Sequence, residues 1–259
     1  MEPSIYEYPA IFRRVHMEKP AEIGAEVDFM REVWRRHLKR PVRRVLDVAC
    51  GDSPHGLALA RAGITVAGID HSPTMIAAGR KAAGAAPIRF YRRSIERFRI
   101  PERPFDAAFF MSETFPIMTE NRALLSHLAS VGRLLGRGGL YCVDIDRHDG
   151  VEVAVARKLW RRRKVIADGT RVDVREYRRP IAWSSGMHSI YELECTIHFP
   201  AGRVVTRDIV PVRYTLPGLL ELAARACGYF TMVACYADLS FTKPIEKCYG
   251  RWLGVLRRV

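Results

Sequence analysis

Residues 44–54 read RVLDVACGDSP, a short apolar run that leads into a turn of small and polar residues. The apolar half contains β-branched valines and is too short for a helix, so it predicts a strand. Gly51 can adopt conformations that are closed to other residues and lets the backbone approach a ligand closely. A helix is predicted after Pro54, with Gly63 as its stop signal. The stretch therefore predicts a strand, a loop and a helix in succession.

The same pattern recurs along the chain. Residues 65–70 form a second apolar run that ends in Asp70, and Ser72 and Pro73 suit the cap and the first position of a helix. An amphipathic helix is predicted over residues 20–38. The remaining strands are predicted at residues 88–91, 105–111, 140–145, 230–236 and 252–256, and the remaining helices at residues 121–135 and 217–226. This alternation predicts an α/β fold with a doubly wound, mostly parallel, seven-stranded, Rossmann-like sheet.

The pattern changes after Asp146. From Arg171 to Tyr214 apolar and polar residues alternate, as in strands with one buried face and one exposed face. The apolar face of the central run carries Tyr191, Leu193, Cys195, Ile197 and Phe199. We predict a three-stranded antiparallel meander inserted late in the α/β domain. The expected domains are an N-terminal helical lid (1–40), the α/β domain in two pieces (41–147 and 216–259) and the inserted β lid (148–215).

The composition is that of a globular protein, with 48% hydrophobic residues among 259 and a formal net charge of +14. A basic surface attracts polyanions, so nucleic acid is a partner to consider, although charge runs such as residues 161–164 are more often solvated faces. No apolar run reaches the ~20 residues that span a bilayer, and residues 1–10 do not resemble a secretory signal. The six cysteines are scattered, which argues against a zinc site. We expect a cytoplasmic protein with no membrane partner and no metal.

Two features of the predicted sheet indicate a nucleoside site. Ligands of open parallel sheets bind beyond the carboxyl ends of the strands, and Gly51 and Asp70 follow the first and second strands. A carboxylate at the second position can accept hydrogen bonds from both hydroxyls of a ribose. The loop lacks the G-x-G-x-x-G pattern that holds a pyrophosphate, since Ala49 and Ser53 occupy the flanking positions. A nucleoside without phosphate therefore fits better than a dinucleotide.

Residues 45–53 resemble the first motif of class I S-adenosylmethionine (SAM)-dependent methyltransferases, and residues 68–75 resemble the second, in which the acid binds ribose. Residues 105–108 and 134–140 resemble the fourth-strand motif and the L-x-P-G-G motif of that family. Together these motifs cover about residues 41–146, in the order of the family. The remainder resembles more loosely a subgroup with an N-terminal helical lid and an inserted antiparallel sheet. That subgroup includes archaeal methyltransferases of undefined substrate and aminosugar N-methyltransferases.

The resemblance implies SAM as the cofactor and a methyltransferase domain in residues 41–147 and 216–259. The cofactor contacts that it implies are Asp47, Ala49, Gly51, Ser53, Asp70, His71, Met75, Ser94, Ile95 and Met111. Three residues depart from the family pattern. Ser53 replaces the usual second glycine of the loop, and Ser94 stands where many relatives have an acid that faces the adenine amino group. Phe12 stands where relatives have a lid tyrosine.

Methyl transfer from a sulfonium is an in-line displacement with a good leaving group, so catalysis rests largely on alignment and on exclusion of water. A base is needed only if the acceptor arrives protonated. Three residues are candidates for catalytic contact with the acceptor: Glu113 after the fourth strand, His16 in the lid and Tyr214 at the end of the meander. Asp146 and His148 follow the fifth strand. For each of these residues an ordinary role in packing or at the surface is the alternative.

The favoured function is a SAM-dependent methyltransferase that modifies nitrogen or oxygen of a small-molecule acceptor. The alternative is an RNA or protein methyltransferase, which the positive charge supports. The chain lacks the N-P-P-Y motif for exocyclic base nitrogens, and no cysteine nucleophile stands at the tip of the fourth strand. A non-catalytic module that senses SAM or a nucleoside is the third hypothesis.

Overall fold

The computed structural model describes residues 3–16, 20–112, 114–146, 158–180, 188–248 and 251–259. Within those ranges the α-helices are α1 (Pro9–His16), α2 (Pro20–His37), α3 (Pro54–Arg61), α4 (Pro73–Ala83), α5 (Asn121–Leu134) and α6 (Pro217–Ala226). The strands are β1 (Arg44–Val48), β2 (Thr65–Asp70), β3 (Ile88–Arg92), β4 (Phe105–Phe110), β5 (Leu135–Asp146), β6 (Lys158–Ala167), β7 (Thr170–Pro180), β8 (His188–Phe199), β9 (Gly202–Arg213), β10 (Phe230–Ala237) and β11 (Arg251–Arg258). Among the described helices, none is both long enough and apolar enough to cross a membrane.

A seven-stranded sheet, here called the large sheet, has the strand order β10-β11-β5-β4-β1-β2-β3. Strands β1 to β5 are parallel, and β11 pairs antiparallel with β5 and β10. Because β1 pairs with β2 on one side and with β4 on the other, the winding of the chain reverses at β1. Such a switch point opens a crevice at the carboxyl ends of the two strands. The predicted doubly wound, mostly parallel, seven-stranded sheet is confirmed.

Both faces of the large sheet are covered by apolar side chains. Strand β4 is buried at every position except Asp106, as expected for a strand with helices on both sides. On one face the strands pack against α5 and α6, through Leu128 and Leu220. On the other face they pack against α2 and α3, through Val33 and Leu59. The carboxyl ends of β1 to β4 are thereby held by a packed core on either side.

The inserted region forms a separate antiparallel sheet, here called the small sheet, with four strands in the order β6-β7-β8-β9. The prediction of three strands is thus wrong by one, because β6 pairs antiparallel with β7. Most side chains of β6 are exposed and many are basic, so its sequence is typical of a solvated charge run rather than of a half-buried strand. The alternation predicted for β8 is present, since Leu193, Cys195 and Ile197 are all buried.

The second difference from the predicted elements concerns the start of β5. The sequence predicts a strand over residues 140–145 after a glycine-rich turn at residues 136–139. The strand instead begins at Leu135, which pairs with Phe105, and the pairing then shifts in register. The glycine-rich segment is therefore an irregular part of the strand, and Gly138 adopts a φ of +73° within it.

The N-terminal segment packs on the inner face of the small sheet. A short 3₁₀ helix, Ile5–Glu7, precedes α1, and Asp208 of β9 anchors its start. The Asp208 carboxylate accepts hydrogen bonds from Ser4 Oγ (2.5 Å) and from the Ile5 backbone nitrogen (3.0 Å). The segment also contributes apolar side chains to a cluster with the small sheet: Ile5, Ile11 and Val15. These contacts hold the N-terminus over the end of the large sheet.

An ionic network joins four elements next to the switch point. Arg251 of β11 donates from Nε (3.0 Å) and Nη2 (2.9 Å) to the fully buried carboxylate of Asp144 on β5. The same guanidinium donates from Nη1 to Glu26 of α2, and Glu26 also contacts the His55 ring of α3. Buried charges are tolerated only when they are paired, so the network depends on each of its members.

We expect Asp144→Ala to lower the free energy of unfolding by about 3 kcal/mol, because it leaves the half-buried Arg251 without its main counter-charge. Urea unfolding followed by circular dichroism measures this change. Arg225→Ala is the matched control, because it removes an exposed pair with Glu221 on α6 and should cost less than about 0.5 kcal/mol. Equal losses in the two variants would contradict the importance of the network.

Candidate functional site

A cavity of about 260 Å³ opens at the switch point and is here called the switch-point cavity. It lies between the loop after β1 and the carboxyl ends of β2, β3 and β4. Nine of the ten predicted cofactor contacts line it: Asp47, Ala49, Gly51, Asp70, His71, Met75, Ser94, Ile95 and Met111. The fold thus brings together residues from four separate strand ends at one cavity.

The loop after β1 has a strained backbone. Ala49, Gly51 and Ser53 have φ values of +52°, +55° and +58°. Only glycine adopts this region of φ freely. For other residues the conformation is strained, and such strain is common at functional sites. A Cβ on Gly51 would lie 3.0 Å from Met75 Cε, so the end of the Met75 side chain would have to shift to admit it. The loop therefore exposes its backbone to the cavity at close range.

Ser53 is the predicted contact that does not line the cavity. Its side chain is fully buried, and its hydroxyl donates a 2.6 Å hydrogen bond to Asp47 Oδ2. Ser53 adopts a left-handed conformation that glycine adopts more readily than any other residue. The hydrogen bond to Asp47 offsets part of the resulting strain. The structure places Ser53 behind the loop, where it supports Asp47.

Asp70 connects the loop after β1 with the loop after β2. Its Oδ2 accepts a hydrogen bond from the Gly51 backbone nitrogen, and its Oδ1 accepts one from the Ser72 backbone nitrogen, both at 2.8 Å. The cap of α4 is Ser72, whose Oγ accepts from the Met75 nitrogen at 3.2 Å. Because each carboxylate oxygen has a second acceptor position, Asp70 can still accept two hydrogen bonds from a ligand in the cavity.

Asp47 lies at the end of β1 and is almost completely buried. Burial raises the pKa of Asp47 to about 7, and the neighbouring charge of Asp70 acts in the same direction. The hydrogen bond from Ser53 and the proximity of His55 lower this pKa but do not outweigh burial. At neutral pH the group is poised between its charged and neutral forms, so a cation in the cavity would favour the carboxylate.

The N-terminal segment covers the switch-point cavity. Tyr6 and Phe12 line it with ring centroids 4.7 Å apart, and the Tyr6 ring lies 6.2 Å from that of His71. Arg13 of α1 forms an ion pair with the buried Asp52, with Nε 2.9 Å from Oδ2. Tyr6 and Arg13 carry no signal in the sequence, because neither lies in a motif and their partners are distant along the chain.

A second cavity of about 230 Å³, here called the lid cavity, lies between the N-terminal segment and the inner face of the small sheet. The two cavities adjoin, since both are lined by Tyr6, Phe12, Ser112, Thr114, Ile117 and Val210. His16 lines the lid cavity, and its side chain is accessible from that cavity. Burial, and then the charge of Arg163, lower the pKa of His16 to about 4. The ring is therefore neutral at physiological pH.

The other candidates for contact with an acceptor are placed differently. Glu113 and His148 lie outside the described residues, although Ser112 and Thr114, on either side of Glu113, line both cavities. Tyr214, a described residue, follows β9 and lines neither cavity. Of the three catalytic candidates, His16 is thus the one that the described structure places at a cavity.

Comparison with known sequences finds a domain match in the central part of the chain. Residues 45–139 match the family model described as a methyltransferase domain. An uncharacterized methyltransferase of Synechocystis sp. is 28% identical over 146 residues, which is 55% of this chain and 65% of that protein. The tRNA U34 carboxymethyltransferase of Methylococcus capsulatus is 32% identical over 143 residues, 49% of this chain and 42% of that protein. The chain therefore matches less than two thirds of the length of each of these curated relatives.

Comparison with solved structures extends the similarity of fold to nearly the whole chain. The sugar N-methyltransferase KedS8 from Streptoalloteichus sp. aligns with a TM-score of 0.74 at 22% identity, over 96% of this chain and 92% of that one. This likeness concerns the fold, whereas the sequence match includes both the loop after β1 and Asp70. Residues 45–139 therefore match a methyltransferase domain, and the fold of the chain is that of solved SAM-dependent methyltransferases.

Proposed function

We propose that this chain transfers the methyl group of SAM to a nitrogen or oxygen atom of a small-molecule acceptor. The observation that supports this proposal is the pair of adjoining cavities, of about 260 and 230 Å³. SAM in the switch-point cavity and an acceptor in the lid cavity would lie side by side, which is the requirement for an in-line displacement. The lid cavity is smaller than the roughly 300–1,000 Å³ of typical ligand pockets, so it suits a small acceptor.

The residues of the switch-point cavity fit SAM. Asp70 offers acceptor positions to the ribose hydroxyls, and the backbone around Gly51 permits close approach. Asp47 is an acidic partner for the ammonium group of the methionine part. Ile95 and Met111 are apolar walls for the two faces of adenine. The further contacts that we propose are Ala49, His71, Met75 and Ser94, with Ser53 as support for the loop.

Held by the residues around Gly51 and Asp70, SAM would supply an electrophilic methyl group for in-line displacement from its sulfonium by a lone pair of the acceptor. The chain contributes alignment and exclusion of water, through Tyr6 and Phe12 at the junction of the cavities. His16, with its pKa near 4, acts as a neutral hydrogen-bonding group rather than as an efficient base at neutral pH. Glu113 and Tyr214 stay proposed contacts of the acceptor.

Methylation of RNA or protein is the second candidate function. The net charge of +14 and the exposed basic strand β6 favour a polyanionic partner, and one relative is a tRNA carboxymethyltransferase. A folded RNA would need an open basic groove that leads to the methyl group. The N-terminal segment and the small sheet instead surround the lid cavity, which favours a small molecule.

Mass spectrometry tests the proposal on the purified protein incubated with SAM and with separate pools of metabolites, tRNA and peptides. We expect a methylated product in the metabolite pool alone. Modification confined to tRNA or peptides would overturn the small-molecule proposal. Bound SAM with no product in any pool would support the non-catalytic sensing function instead.

We expect Asp70→Ala to weaken SAM binding by about 2 to 4 kcal/mol, or roughly 30- to 1,000-fold, because it removes an ionised acceptor of two ribose hydrogen bonds. Asp70→Asn keeps the shape and one acceptor oxygen but loses the charge, so its affinity should fall between those of the wild type and Asp70→Ala. Isothermal titration calorimetry of both variants measures the effect.

Ser72→Ala is the matched control for Asp70, because Ser72 caps α4 and hydrogen-bonds to the same carboxylate only through its backbone. It should lose about 1 kcal/mol of stability and keep its affinity for SAM. If Asp70→Ala lost stability and kept its SAM affinity, Asp70 would be a support of the two loops and not a ligand of ribose.

Asp47 makes the stability of the unliganded protein depend on pH. Burial raises the pKa of Asp47 from 3.8 in the unfolded chain to about 7 in the folded protein. Between these two pH values the folded protein keeps a proton that the unfolded chain has released. The free energy of unfolding therefore falls as the pH rises from about 4 to about 7. We expect the wild type to lose about 2 to 3 kcal/mol more than Asp47→Asn between about pH 5 and 8. Urea unfolding at both pH values measures the difference, and parallel losses in the two proteins would contradict the raised pKa.

A further inference from the structure

The inner face of the small sheet has an apolar half and a charged half. The apolar half packs against the N-terminal segment through Val172, Val174, Leu193, Cys195 and Ile197. The charged half lines the lid cavity with Arg161, Arg163, Glu176, Arg178 and Asp208, none of which lines the switch-point cavity. Because these charged groups line the lid cavity and not the switch-point cavity, they are positioned to meet a ligand of the lid cavity and not the cofactor.

Both carboxylates of the charged wall make contacts within the protein. Glu176 is buried and accepts a 3.0 Å hydrogen bond from Arg163 Nε, with Nη2 at 2.9 Å. Asp208 accepts two hydrogen bonds from the start of the N-terminal segment. The described wall of the lid cavity carries three arginines (Arg161, Arg163 and Arg178) against these two carboxylates, so its net charge is positive. The wall is accordingly more complementary to an anion than to a cation.

Arg178 is packed between two aromatic rings. Its Cζ lies 5.0 Å from the centroid of the Trp160 ring and 4.6 Å from that of the Tyr191 ring. These are cation–π distances, and they fix the guanidinium against the cavity wall. Guanidinium groups form planar, paired hydrogen bonds with carboxylates and phosphates, which makes a positioned arginine a specific anion ligand.

A β-bulge in β6 brings Trp160 to the same wall. The pairing of β6 with β7 shifts between Leu159 and Arg161, which leaves Trp160 as the extra residue. Neighbouring residues of a regular strand point to opposite faces, yet Trp160 and Arg161 both line the lid cavity. Bulges are common next to active sites, where they redirect a side chain.

We propose that the acceptor carries an anionic group, a carboxylate or a phosphate, that Arg161 and Arg178 bind. In this arrangement Trp160 and Tyr191 pack against an adjoining planar part of the acceptor. The inference rests on the proposed function, since it describes the acceptor that the lid cavity takes.

The same arrangement orients the acceptor relative to the cofactor. Arg161 and Arg178 line the lid cavity alone, whereas Ser112 and Thr114 line both cavities. An acceptor held by its anionic group at the two arginines therefore directs its other end toward Ser112 and Thr114. The nucleophilic nitrogen or oxygen lies at that end, next to the switch-point cavity.

Four small aromatic probes of similar shape test the charge preference: phenyl phosphate, benzoate, neutral benzamide and cationic benzamidine. Binding to the full chain saturated with S-adenosylhomocysteine is measured by ligand-observed NMR titration. We expect at least one anion to bind about tenfold or more tightly than benzamide and benzamidine. The tighter of the two anions identifies the recognised group as a carboxylate or a phosphate.

Arg161→Gln and Arg178→Gln should each weaken the preferred anion by about tenfold and leave benzamide almost unchanged. Arg162→Gln is the matched control, because Arg162 is adjacent to Arg161 on β6 but does not line the lid cavity. It should leave all four probes unchanged. The affinity for S-adenosylhomocysteine, measured for every variant, verifies that the fold and the switch-point cavity are intact.

Four results would overturn the inference. In the wild type, these are no binding of either anion, or binding of benzamide or benzamidine that is as tight as that of the anions or tighter. In the variants, they are an anion affinity that neither Arg161→Gln nor Arg178→Gln changes, or an anion affinity that Arg162→Gln lowers as much as those two substitutions do. A short RNA that displaces benzoate at a lower concentration than phenyl phosphate does would also overturn the inference, because it would indicate that the lid cavity binds nucleic acid. The proposed function fails by a separate result, when tRNA or peptides take the methyl group and metabolites do not. The two failures are thus distinguishable.

Discussion

The carboxylate of Asp70 holds the two loops that form the floor of the switch-point cavity. Its hydrogen bonds to the backbone nitrogens of Gly51 and Ser72 keep these loops in position before a ligand is present. Because both donors are backbone groups, no side chain has to be displaced when further donors approach the same carboxylate. The strained conformations at Ala49 and Ser53 persist because the surrounding contacts enforce them. In a site organised in this way, part of the conformational entropy of the loops is lost during folding rather than during binding.

The N-terminal segment connects this floor with the small sheet. Asp208 anchors one end of the segment, and the Arg13–Asp52 ion pair attaches α1 to the loop after β1. Tyr6 and Phe12 consequently form a wall common to both cavities. Under the proposed function, this short stretch of chain separates the cofactor and the acceptor from bulk water and sets the distance between them.

The sequence predicts this molecule well where local chemistry and hydrophobic pattern coincide. The apolar run that ends in Asp70 predicts a strand, and Ser72 after it predicts the start of a helix. The small residues around Gly51 likewise predict the loop after β1. The position of Ser53 behind the loop follows from a hydrogen bond to Asp47 that no local pattern reveals. The sequence does not predict strand β6 for a similar reason, because its pairing with β7 is a tertiary contact and its basic residues resemble a solvated run. Contacts between distant segments therefore limit what sequence analysis can reach.

Strand β6 is also an edge strand, and its composition affects how copies of the chain behave toward one another. Edge strands are templates for pairing with a second molecule, and like charges along them prevent such pairing. Leu159, Trp160 and Ile166 are about half exposed on this strand, so the arginines and lysines between them act as gatekeepers against aggregation. Redesign of the lid cavity for an uncharged acceptor would therefore reduce colloidal stability if apolar residues replaced these arginines. Glutamate at Arg161 would reverse the charge of the wall while the edge stayed hydrophilic.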